Sequence, residues 1–164
     1  MSETEKNLWA AFAGESQANR KYLAFAAQAD KEGCHQAAKL FRAAAAAETI
    51  HAHAHLRAVG GVGTTLDNLQ AALAGETEEY ENMYPAMIAT AEKEGHKAAL
   101  RSFTFANEVE KNHASLYEKA IGKLESMQEC DYYICKVCGH THEGYAPDKC
   151  PVCGAARSSY FVAE

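Results

Sequence analysis

A chain of 164 residues has room for one domain, or for a helical bundle with a small appendage. It is 48% hydrophobic, enough for a core, and its net charge of -6 is spread over both signs, which argues against a nucleic-acid or anionic-membrane surface. No apolar run approaches membrane-spanning length, and the N-terminal MSETEKNLWAAF lacks a basic segment followed by an apolar one. The expectation is therefore a cytoplasmic protein with no nucleic-acid or membrane partner.

Residues 1–125 are rich in Ala, Glu, Lys and Leu, contain proline only at Pro85, and carry a helical apolar period. The pattern predicts four helices near 4–31, 35–59, 67–94 and 96–125, with breaks at KEG (31–33), GGVGTTLDN (60–68) and KEGH (93–96). Leu8, Phe12, Glu15 and Tyr22 share a stripe on the first helix. Phe41, Ala44, Glu48, His51, His55 and Val59 share one on the second, and Phe103, Ala106, Glu110, His113 and Tyr117 one on the fourth. Each stripe places an acid where an apolar residue belongs. His96 is expected to cap or precede the fourth helix.

The second helix contains ETIHAHAH. At about 100° per residue, Glu48 and His51 lie on one face, while His53 points away from His51. His55 returns to that face about 10 Å along the axis from Glu48, so only His51 is placed to share a metal with that glutamate. His53 reads as surface and His55 as the edge of the core.

The chain also repeats itself. NLWAAFAGES (7–16) matches NLQAALAGET (68–77), and DKEGCHQAAKLF (30–41) matches EKEGHKAALRSF (92–103). The offset grows from 61 to 62 between the two matches, so the third helix holds one extra residue before Tyr84. Glu15 then corresponds to Glu76, Glu48 to Glu110, His51 to His113 and Tyr22 to Tyr84. Each half supplies one Glu and one Glu-x-x-His. Four inward carboxylates cannot be buried bare, at several kcal/mol each. Two divalent cations neutralise them, and this ligand set is that of ferritin-like di-iron or di-manganese bundles. Glu79 breaks the symmetry, standing opposite Ala18 next to the extra residue. Pro85 withholds a helical donor nearby, so a distorted turn such as a π-bulge is expected. That leaves Glu79 as either a seventh ligand or a solvated member of ETEEYE.

From residue 131 the helical period is lost. DYYICKVCGHTHEGYAPDKCPVCGAARSSYFVAE holds four of the six cysteines, and about 34 residues cannot build a sufficient core without a metal. Cys135-x-x-Cys138 and Cys150-x-x-Cys153 form paired knuckles for a tetrahedral ion. Spacing alone does not choose zinc or iron. The aromatics Tyr132, Tyr133, Tyr145, Tyr160 and Phe161, together with a dimetal site that needs electrons, favour iron. Cys34 and Cys130 fit neither pair and read as free thiols. The expected boundaries are 1–127 for the bundle and 128–164 for the cysteine module.

On GESQANRKY, ETIHAHAH, AGETEEYENMYP, EVEKNHASLY and YICKVCG…APDKCPVCG, the chain resembles the rubrerythrins over essentially its whole length. That resemblance implies a mainly α fold, a ferritin-like four-helix bundle followed by a rubredoxin-like domain. It implies a di-iron centre plus one iron held by four cysteines. Glu48 and Glu110 would bridge the irons, Glu15 would bind one, and Glu76 with His113 the other. Glu79 and His51 would alternate on the first iron, and Tyr22 and Tyr84 would hydrogen-bond the carboxylates. The implied activity is reduction of hydrogen peroxide to water in oxidative-stress defence. Electrons would come from an NAD(P)H-dependent reductase or a rubredoxin. The implied assembly is a homodimer or larger, with the rubredoxin-like domain of one subunit near the di-iron site of another. A ferroxidase or iron-handling protein is the alternative, and a structural protein with a zinc ribbon a third.

Overall fold

The computed structural model describes residues 1–163. They fall into two compact units, Met1–Gly63 and a second that begins at Thr64. The first unit is a hairpin of α1 (Glu3–Lys31) and α2 (His35–Ala58). The second contains α3 (Thr65–Glu78), a π-helical turn (Glu79–Met83), α4 (Tyr84–Lys93) and α5 (Lys97–Gly122). It ends in a small sheet of β1 (Tyr132–Cys135), β2 (Thr141–Glu143) and β3 (Tyr160–Val162).

Local chemistry sets the helix ends. Ser2 and Glu5 form a capping box on α1, as Thr64 and Asp67 do on α3. His96 caps α5, its Nδ1 accepting the Ala99 amide at 3.2 Å. Both KEG segments end in the same way. Gly33 and Gly95 adopt φ of 76° and 69°, a left-handed conformation that suits glycine. The following amides, of Cys34 and His96, reach back to the carbonyls of Ala29 and Ala91 at 2.8 and 2.9 Å. This is the 6→1 bond of a Schellman ending. The duplication extends to ring contacts: the Tyr22–Phe41 and Tyr84–Phe103 centroids are both 6.3 Å apart.

The α1/α2 hairpin closes on small residues. Ala26 and Ala29 of α1 and Ala38, Ala45 and Ala52 of α2 are buried, the last three at heptad spacing. Asn19 is buried among them and donates from Nδ2 to the Ala45 carbonyl at 2.7 Å and to Thr49 Oγ1 at 2.9 Å. In the second unit, Ala91, Val109 and Ala114 are buried, and α3 and α4 both pack on α5.

The extra residue of the third helix is accommodated as expected. The Tyr84 amide bonds to the Glu79 carbonyl, closing a π turn, and Pro85 sits in the first turn of α4, where a missing donor costs little.

The sheet has strand order β2-β1-β3, antiparallel throughout, with Tyr133 opposite both His142 and Val162. Its core is Cys135, Cys150 and Tyr160. No helix among the described residues is long and apolar enough to cross a membrane.

Candidate metal centres

Three clusters of metal-ligating side chains stand out among the described residues. Glu15, Glu48 and His51 bring ligand atoms within 4.8 Å of one another on the α1/α2 hairpin. Glu76, Glu110 and His113 do the same on α3 and α5. Cys135, Cys138, Cys150 and Cys153 make the third. The six Glu and His residues singled out by the repeat thus fall into two sets of three, one per unit.

In each set the Glu-x-x-His pair sits on one helical face and the imidazole turns Nδ1 toward the carboxylate. His51 Nδ1 lies 2.9 Å from Glu48 Oε2, and His113 Nδ1 lies 2.7 Å from Glu110 Oε2. His113 Nδ1 is also 3.6 Å from Glu76 Oε1. Burial and the neighbouring Glu110 and Glu79 push the Glu76 carboxyl up to about 7. Burial also raises Glu79, helped by Glu110 and opposed by His113. Acids crowded this closely resist ionising together, and a divalent cation removes the conflict. The donor set therefore fits iron or manganese.

Glu79 lies at the start of the π turn, half-buried and within electrostatic reach of Glu110 and His113. Tyr84 is close enough to Glu79, Glu110 and Glu76 that they add to the effect of burial in raising its hydroxyl. Tyr22 packs its ring against Phe25 and Phe41. Neither hydroxyl bonds a carboxylate among the described residues. His53 is exposed and His55 half-buried.

The four cysteines are drawn together by two knuckles of one design. The Gly139 and Gly154 amides bond to the carbonyls of Cys135 and Cys150 at 2.8 and 2.9 Å. Cys135 Sγ is 3.7 Å from Cys153 Sγ, and Cys138 Sγ is 3.5 Å from Cys150 Sγ. Thiolates about 2.3 Å from a tetrahedral ion stand about 3.8 Å apart, whereas a disulfide needs about 2.05 Å. The spacing therefore fits a bound ion. Burial works against ionising Cys150, but hydrogen bonds from Tyr160 and the Cys153 and Val152 amides bring it down to about 6. Burial holds Cys138 and Cys153 above the usual thiol range, so the four do not ionise together without a cation. Cys34 and Cys130 are exposed free thiols outside this cluster.

Three residues around these clusters were not singled out by the sequence reading as part of a site. Tyr160, expected only as a shielding aromatic, bonds the Cys150 sulfur. His140, which is buried, sets Nδ1 3.0 Å from the Tyr160 hydroxyl. Thr141 Oγ1 lies 3.0 Å from His113 Nε2. Their only signal is their place beside the CxxCG knuckle, which does not say where a side chain points. The Thr141–His113 contact joins β2 to α5.

Comparison with known proteins covers both parts. The rubrerythrin family matches residues 6–121, and the rubrerythrin rubredoxin-like domain matches residues 133–161. Nigerythrin of Nitratidesulfovibrio vulgaris is 34% identical over 98% of this chain and 86% of its own length. A rubrerythrin of Porphyromonas gingivalis is 37% identical over 98% of this chain and 89% of its own. The solved structure of fully reduced, all-ferrous nigerythrin aligns over 99% of this chain and 88% of that one, at 33% identity and a TM-score of 0.61. The expected fold class, mainly α with ferritin-like helices followed by a small rubredoxin-like module, is borne out.

Proposed function

The chain belongs to the rubrerythrin family, and on that footing we propose that it is a non-haem di-iron peroxidase that reduces hydrogen peroxide to water. Its cofactors are those of the family, a di-iron centre and a further iron in the rubredoxin-like module, and its reaction class is oxidoreduction. The observation that carries the peroxidase reading is the pairing of two Glu and Glu-x-x-His groups with a four-cysteine cluster in one chain. A bound iron pair would hold the two electrons that cleavage of one O–O bond needs, and a thiolate-held iron would be a one-electron donor. Storage of iron needs no such one-electron site, which disfavours the ferroxidase alternative.

In this reading Glu15, Glu48, His51, Glu76, Glu110 and His113 would hold the iron pair. Cys135, Cys138, Cys150 and Cys153 hold the third iron. Glu79 and His51 would be alternative ligands to that pair. The raised Glu79 carboxyl suits it to carry a proton when it is not a ligand. Tyr84, kept protonated by burial and the acids around it, is a hydroxyl donor at the same place, with Tyr22 its counterpart in the first half. The balance is one hydrogen peroxide, two protons and two electrons giving two waters. The domains are 1–127 and 128–164, residue 164 lying outside the described residues. The upstream donor is an NAD(P)H-dependent reductase or a rubredoxin, and the cell compartment is the cytoplasm. Leu40 and Ile50, 69% and 67% exposed on α2, support a homodimer or larger assembly.

The test is a stopped-flow mix of fully reduced protein with stoichiometric peroxide under anaerobic conditions, following the visible band of the thiolate-bound iron. Return of the colour within milliseconds to seconds, much faster than with dioxygen, is the expected result. A band that stays bleached under peroxide but returns with dioxygen while iron accumulates moves the ferroxidase reading ahead.

A further inference from the structure

His113 is held from both sides of its ring. Nδ1 faces Glu110 at 2.7 Å and Glu76 at 3.6 Å, while Nε2 lies 3.0 Å from Thr141 Oγ1. The Thr141 hydroxyl has its own acceptor, the Gly139 carbonyl at 3.3 Å. Its hydrogen is therefore spent on Gly139, and its oxygen is left to accept from His113. Nε2 is thereby the donor to Thr141, and Nδ1, on the carboxylate side, is the nitrogen left for a metal to take.

The surroundings keep this contact in place. Thr141 opens β2 and pairs with Ile134 of β1, so its side chain is fixed by the sheet. Val109, one turn before His113 on α5, is buried and lies against Gly139, where a Cβ would stand 3.7 Å from Val109 Cγ1. Gly139 is bonded in sequence to Cys138. Two hydrogen bonds and one peptide link thus join His113 to the cysteine knuckle. The symmetry mate differs. His51 also turns Nδ1 to its glutamate, but its side chain is 56% exposed against 26% for His113, and no residue among those described bonds its Nε2.

We propose that Thr141 is a positioning residue of the carboxylate metal site. By accepting the Nε2 proton of His113 it fixes that ligand's tautomer and ring orientation, and it ties the ligand to the Cys138 knuckle. The proposal rests on the di-metal reading given above. Loss of such an outer partner costs about 10- to 100-fold in metal affinity.

The experiment uses the full chain with zinc as the diamagnetic probe, first filling the cysteine site and then the carboxylate site. Three proteins are compared: wild type, Thr141→Val, which keeps the shape and strand preference but lacks the hydroxyl, and Thr141→Ser, which keeps the hydroxyl. Two quantities are read, zinc affinity of the carboxylate site by chelator competition and solvent exchange of the His113 Nε2 proton in long-range nitrogen-15 spectra. Thr141→Val is expected to bind zinc about 10- to 100-fold more weakly and to lose the slow proton, with Thr141→Ser restoring both to near wild type. If Thr141→Val matches wild type in both, the role of Thr141 is overturned while the di-metal reading stands. If Thr141→Ser is as impaired as Thr141→Val, the effect is one of shape, and the proposal is overturned. If wild type itself takes up no zinc beyond the cysteine site, both the di-metal reading and the proposal fall.

Discussion

The Tyr84 amide donates to the Glu79 carbonyl, five residues back instead of the four of an α-helix. This one bond absorbs the extra residue of the second repeat and sets Glu79 beside Glu110 and His113 in a position that the first repeat fills with Ala18. Deleting Asn82 is expected to convert the turn to α-helix, keep Glu76 and Tyr84 in register, and withdraw Glu79. Iron(II) titration should show weaker binding in the deletion. Adding Glu79→Ala to it should change nothing further, whereas Glu79→Ala alone in the parent should weaken binding. Additive losses would sink the idea.

The metal-free chain should lose stability as pH rises. Burial, Glu110 and Glu79 raise the folded Glu76 carboxyl to about 7 against an ordinary 4.5. The folded state then holds a proton that the unfolded chain releases. The stabilisation from that proton is fully present below about 4.5 and is lost as pH climbs through about 7. Urea midpoints of metal-free protein across this window should fall with pH, and Glu76→Gln should flatten the slope. Iron should reverse the trend, because its affinity grows as the carboxyl ionises.

Stripping the cysteine-bound ion should unfold the C-terminal sheet and leave the helices. Among the described residues the buried hydrophobic core of the sheet is Cys135, Cys150 and Tyr160, and two of these are proposed ligands. An ion present at a thousand times its dissociation constant stabilises by about 4 kcal/mol, a large share for so small a core. Amide exchange after chelation should accelerate in Tyr132–Cys135 and Tyr160–Val162 while α1 and α2 keep their protection. Unchanged exchange in the strands would mean the sheet stands without metal.

Asn19→Ala should destabilise the α1/α2 hairpin by about 1–3 kcal/mol, the usual cost of leaving a buried hydrogen-bond partner unmet. Asn19 supplies two bonds across the helix pair, to the Ala45 carbonyl and Thr49 Oγ1. Thr49 also donates to the Ala45 carbonyl at 3.2 Å, so part of the need is covered locally and the lower end of the range is expected. Chemical denaturation reads the difference directly.

Much of this was legible before any coordinates. Helical spacing singled out His51 from His53 and His55, and the internal repeat paired the six Glu and His residues that gather in two clusters. The jump in offset announced the π turn. These features are periodic or local, and period survives in a sequence. Asn19 was not legible, because a polar residue in a small-residue stripe looks like surface until its partners 26 and 30 positions away are seen. The Tyr160 bond to Cys150 and the Thr141 contact with His113 were hidden for the same reason. Thr141 lies 28 residues from His113, across a change from helix to sheet, and no spacing rule spans that gap.

The alanines between α1 and α2 carry no chemistry, yet they act as a gauge. Single methyl groups at 26, 29, 38, 45 and 52 let two backbones approach as closely as side chains allow. That separation is what lets Glu15 of one helix and Glu48 and His51 of the other come within 4.8 Å. The size of ion that the proposed ligands would accept is thus written in residues that never touch it, and a single added methylene in the seam would be a change of calibre there.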